Sequence, residues 1–145
     1  MGGFFDWSDM SIIALDLSLT ATGFCCGERT ETWTTKAKGH ERLQFIRDAV
    51  YAALVSEKPS CVFIEGFAYG AKGASVYEIG GLGWMVRHLL WEFDVPYATV
   101  PPNSLKKYAT GSGNANKDVM IATAIRRFGF PGSDNNAADA WLLWH

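Results

Sequence analysis

Asp16, Glu65 and Asp139 stand where side chains can do chemistry: the first closes the apolar run IIALD, the second closes CVFIE, and the third precedes AWLLW. Acids from segments so far apart meet only through the fold. Carboxylates that converge make a hard-oxygen ligand set suited to Mg²⁺, with Mn²⁺ as substitute. Two such ions, ~3.5 to 4 Å apart, activate a water and stabilise the leaving 3′ oxygen of a phosphodiester. Taken singly, two of the acids have plainer readings: Asp16 fits a turn or helix cap, and Asp139 fits a charge complementing a helix N-terminus. Glu65 does not, because a carboxylate directly after a buried strand is costly without a cation or partner beside it. The conjunction of the three points to a metal site.

For the acids to converge, their segments must end at one edge of a sheet. Ser11–Ser18, Thr20–Gly27 and Arg29–Thr35 are β-rich runs split by short polar turns and predict a meander. From Glu41 to Lys58 the apolar residues Leu43, Ile46, Ala49, Val50, Ala53 and Leu54 recur at helical spacing until Pro59 stops them. Cys61–Glu65 predicts a buried strand, and Ser75 a cap for a helix reaching Phe93. Val95–Pro101 follows as a fifth strand, Pro102–Tyr108 and Lys117–Phe128 as helices, and a last helix begins near Asn135. This order predicts an α/β fold, a mixed five-stranded sheet with helices on both faces. One domain is expected over 11–145, behind an N-terminal extension 1–10.

The chain of 145 residues is 48% hydrophobic and 19% charged, the composition of an ordered globular protein with a core. Its net charge of −2 is not that of a typical nucleic-acid binder, unless acids gathered in a metal site are cancelled by bound cations. Cys25 and Cys26 are adjacent on a predicted strand and point to opposite faces, so with Cys61 they make no disulfide framework. The three histidines lie far apart, without zinc-ligand spacing. Residues 1–10 lack a basic leader pattern and no apolar run is long enough to span a bilayer, so a cytoplasmic, reducing setting without membrane is expected.

Four segments, in order, resemble the RuvC family of Holliday-junction resolvases within the RNase H-like superfamily, of phage or bacterial type. IIALDLSLTATG resembles its first-strand motif, VFIEGFAYG its second acidic motif, and AADAWLLWH its final helix motif; PPNSLKKYATGSGNANKDVM is similar to its lysine segment. The resemblance runs from about Ser11 to His145. It implies an RNase H-like nuclease domain, two Mg²⁺ ions and a homodimer that resolves four-way or other branched DNA. It further implies that Lys106 and Lys117, eleven residues apart, flank the scissile phosphate. The family usually carries Asp or His three residues before the helix Asp, where this chain has Asn136; Asp134, five residues before, is the nearest acid. Asp134 ranks ahead of Asn136 as fourth ligand, because an amide oxygen coordinates more weakly than a carboxylate.

Lys106, Lys107, Lys117, Arg126 and Arg127 form the densest basic stretch and are candidate phosphate contacts, or else a solvated helix face. Phe67, Tyr69 and Lys72 follow Glu65 on a glycine-bearing loop. An aromatic there stacks on an unpaired base, as the resemblance also implies; Phe67 instead fits a core cap, which leaves Tyr69 as the wedge. Gly80, Gly81 and Gly83 in one helix predict a close backbone approach, either across a dimer seam or within the subunit. The competing functions are an RNase H-like nuclease acting on RNA–DNA hybrids and a non-catalytic junction-binding module. A sugar kinase or ATPase of the actin-like fold is excluded by length.

Overall fold

The computed structural model describes residues 11–66, 73, 75–132 and 134–145. The N-terminal segment 1–10 and the loop residues Phe67, Tyr69 and Lys72 lie outside the described residues. Short apolar runs form β1 (Ile12–Asp16), β2 (Ala21–Cys26) and β3 (Arg29–Thr34), paired antiparallel in succession. The chain then crosses through α1 (Gly39–Glu57) to β4 (Cys61–Glu65), and through α2 (Ser75–Glu92) to β5 (Tyr97–Val100), both strands running parallel to β1. The sheet order is β3-β2-β1-β4-β5. Three helices follow: α3 (Pro102–Thr110), α4 (Lys117–Phe128) and α5 (Asn135–Trp144).

The two-residue period of the strands divides the interior into two cores. Ile13, Leu15, Phe24, Val62 and Ile64 point to the face covered by α1 and α2, meeting Ile46, Val50, Leu82 and Val86. Ala14 and Cys25 point to the other face, where α3, α4 and α5 contribute Leu105, Met120, Ala138, Trp141 and Leu142. Helices on both faces of a mixed five-stranded sheet are thus borne out. Cys25 and Cys26 do part to opposite faces, and all three cysteines are free. No helix among the described residues is long and apolar enough to cross a membrane.

Two strand ends differ from expectation by two residues, for local reasons. β1 stops at Asp16 rather than Ser18, because Ser18 turns the chain: its carbonyl accepts from the buried Thr22 hydroxyl at 2.9 Å, and its N–H donates back to that oxygen at 3.2 Å. β5 starts at Tyr97 rather than Val95, because the Val95 N–H is spent on Leu90 O, at 2.9 Å, in closing α2. The three glycines of α2 face open space, a Cβ on any of them meeting nothing within 4 Å. Close packing within the subunit is therefore not what they serve.

Candidate metal centre

β1 and β4 are parallel neighbours with Leu15 paired to Ile64, so Asp16 and Glu65, one residue on, end side by side at the same sheet edge. Both carboxylates leave strands whose preceding residues, Leu15 and Ile64, are buried, which fixes the backbone beneath them. Asp139 comes from α5, which lies flat on β1 and β2 through Ala137, Ala138 and Ala140. That approach depends on Gly23, paired with Asp16 in the sheet. A Cβ there would lie 2.0 Å from the Asn136 backbone oxygen, so any other residue holds α5 away from the strand. Trp141 and Trp144 pin the helix further, donating to Phe128 O at 2.7 Å and Ile12 O at 2.8 Å.

The result is one carboxylate oxygen each from Asp16, Glu65 and Asp139, all within 4.8 Å of one another. The electrostatics is that of an anion site short of cations. Burial, then repulsion from Glu65 and Asp139, pushes Asp16 well above the ordinary carboxylate range. Burial also raises Glu65, against the hydrogen bond it shares with Asp16 and the pull of Lys106. Asp139 is pushed up to about 7, first by burial and then by Glu65, with Lys106 and Lys117 opposing. Three hard oxygen donors in a half-buried cleft, each destabilised when ionised, fit a divalent cation such as Mg²⁺.

Lys106 and Lys117 reach the same place: with Asn116 they line a cavity of about 340 Å³ whose other wall holds Glu65 and Asp139. Lys107 is exposed one residue on. Arg127, in the same basic stretch, serves structure instead, its Nη1 donating to Ala109 O at 2.9 Å and tying α4 to α3. Asp134 caps α5, accepting from the Ala137 N–H at 3.2 Å and from the Thr32 hydroxyl. It stands outside the cluster of three, yet close enough for its charge to raise Asp139. Asn136 presses its backbone oxygen toward Gly23. Gly23 is the residue that sequence reasoning passed over, and the signal was a glycine inside a strand pattern.

No family model matches the chain. The crossover junction endodeoxyribonuclease RuvC of Prochlorococcus marinus is 30% identical over 108 residues, covering 72% of this chain and 66% of that one. The protein of the same name from Rickettsia bellii is 25% identical over 88 residues, 61% of this chain and 56% of its own. Thermus thermophilus RuvC in complex with Holliday junction substrate superposes with a TM-score of 0.75, over 92% of this chain and 90% of that one, at 19% identity. The chain is RuvC-like. The structural likeness carries the RNase H-like fold. The RuvC-like chain aligns with little more than half the length of the Rickettsia relative, so the activity of those whole proteins belongs to the proposal below.

Proposed function

We propose that this RuvC-like chain is a metal-dependent endonuclease that cuts four-way or other branched DNA junctions. The observation that carries the reading is the convergence of Asp16, Glu65 and Asp139 to within 4.8 Å, each raised by burial, with Lys106 and Lys117 on the adjoining wall. The three carboxylates would hold two Mg²⁺ ions, with Mn²⁺ as substitute. When bound, these ions supply water activation and neutralisation of the charge that develops on the phosphodiester. Lys106 and Lys117 hold the phosphate by charge, in a cleft where partial burial strengthens the attraction. Lys107 and the loop residues Phe67, Tyr69 and Lys72 are assigned to DNA binding on their sequence alone. The second carboxylate oxygen of Asp134 supports its ranking ahead of Asn136 as fourth ligand, since capping α5 uses only one.

A homodimer belongs to this reading. Tyr77, Trp84 and Trp91 recur every seven residues on α2 and are 87%, 67% and 70% exposed. Large aromatics on one helix face, beside glycines that leave the backbone open, make an apolar strip suited to a two-fold helix pair. Two active sites related by that two-fold match the two symmetric strands of a junction.

The test is incubation with a four-way junction, a linear duplex and an RNA–DNA hybrid, each with Mg²⁺ or EDTA. Cleavage of the junction alone, lost with EDTA and in Asp16→Asn, Glu65→Gln and Asp139→Asn, is expected. Preferential cutting of the hybrid would replace the reading with a general RNase H activity, and binding without cutting would leave a junction-binding module.

A further inference from the structure

Lys36 and Lys38 lie far in sequence from the basic stretch beside Asp139, in the segment TKAKGH, which contains no acid. Sheet register carries that segment to the catalytic edge. Asp16 pairs with Gly23 and Ala21 pairs with Thr34, so β3 ends at the edge where β1 and β4 deliver their acids. β3 stands two strands from β1, a lateral offset of about 10 Å. That is well inside one ~34 Å turn of a DNA duplex.

The segment is also held in shape. The Thr35 N–H donates to Thr20 O at 3.1 Å, and the Ala37 N–H to Thr35 Oγ1 at 3.0 Å. Arg42, its side chain 14% exposed, donates from Nε to Ala37 O at 2.8 Å while its Nη1 lies 3.5 Å from Glu78 on α2. Both lysines are exposed, and among the described residues neither has an acid within ion-pair distance. These two sit on a braced connection, unpaired, at the edge where a phosphate chain has to pass.

We propose that Lys36 and Lys38 form a second phosphate-contact surface, taking the backbone of a duplex DNA arm as it leaves the carboxylate centre on the β3 side. The proposal rests on the reading of DNA as substrate. It gives the chain two positively charged flanks, Lys106 and Lys117 on one side of the acids and Lys36 and Lys38 on the other.

Salt dependence of junction binding tests it, using the full chain in Ca²⁺. Each phosphate contact contributes about −0.9 to the slope of log affinity against log salt. Lys36→Gln/Lys38→Gln is expected to flatten the slope by about 2 and to weaken binding on the order of 10- to 100-fold at 0.1 M salt. Lys58→Asn, at the other end of α1 and about 28 Å away, leaves both unchanged and serves as the control. Asn suits that position, whose φ is 46°. As a second readout, bound junction protects Lys36 and Lys38, but not Lys58, from acetylation. A double variant with the wild-type slope, or lysines acetylated equally fast with junction bound, overturns the proposal while leaving the nuclease reading intact. A wild-type chain that binds no junction overturns both.

Discussion

Replacing Asp139 by Asn should stabilise the metal-free protein at neutral and alkaline pH while removing its response to Mg²⁺. Asp139 is raised from 3.8 to about 7, with burial as the leading cause. Between those two values the folded chain binds a proton that the unfolded chain has released, so stability falls as pH rises through this window. The loss is complete above about pH 7. The rise from 3.8 to about 7 sets a ceiling of about 4 kcal/mol, and screening at the open mouth of the site brings this to about 2 kcal/mol. Asn keeps the shape of the side chain and carries no charge, so it recovers that amount. For a chain of this size the gain is a rise in Tm of about 4 to 8 °C. Differential scanning calorimetry in EDTA at pH 5 and pH 8 reads it directly: a higher Tm for the variant at pH 8, converging with wild type toward pH 4. Added Mg²⁺ should raise the wild-type Tm at pH 8 and leave the variant nearly where it was. A variant less stable than wild type at pH 8 in EDTA would refute the argument, because it would mean that the ionised carboxylate is satisfied within the fold.

Lys106→Met and Lys117→Met should each slow junction cleavage and flatten the salt dependence of binding by about one counterion; slower cleavage with an unchanged slope would place that lysine in chemistry rather than in phosphate binding. Asp134→Asn should lower activity more than Asn136→Ala while keeping the α5 cap that Asp134 makes to the Ala137 N–H, and the reverse ranking of their Mg²⁺ requirements would move the fourth ligand to Asn136. Gly23→Ala should cost about 3 kcal/mol by overpacking, because the new Cβ would sit 2.0 Å from a backbone oxygen of α5. Thermal melts and Mg²⁺ titrations should both register it, and a Tm within about 2 °C of wild type would show that α5 stands off the sheet.

Sequence carried a reading this far because the strands and helices are locally consistent. IIALD and CVFIE are narrow, apolar and punctuated, and Pro59 stops α1 just where β4 must begin. Of the three acids Glu65 was the most legible, since a carboxylate after a buried strand has few innocent roles, whereas Asp16 and Asp139 gained meaning only in conjunction with it. What stayed hidden was set by contacts between distant segments. ATG inside β2 looks like any strand until α5 is laid across it, and only then does the missing Cβ at Gly23 explain why Asp139 reaches Asp16. The glycines of α2 predicted a close approach that does not occur within the subunit, where a Cβ on any of them meets nothing within 4 Å. Lys36 and Lys38 belong to no motif in the sequence, and only strand register brings them to the acidic edge.

The net charge of −2 then takes a different meaning. Without cations, Asp16, Glu65 and Asp139 repel phosphate and one another, and part of that repulsion is relieved by retaining protons near neutral pH. Cation binding must displace those protons, so on the proposed reading metal affinity rises with pH through the range where Asp139 titrates. Two divalent ions would bring about four positive charges to three carboxylates, turning the centre of the edge from repulsive to attractive for DNA. The lysines on either side are fixed in sign, whereas the centre changes sign with its ions. On that reading, a junction that meets the metal-free protein is held only at the flanks, and its strand approaches the carboxylates only when metal is present. On the proposed function, binding and cutting would then be coupled through the charge of one cluster rather than through a change of fold.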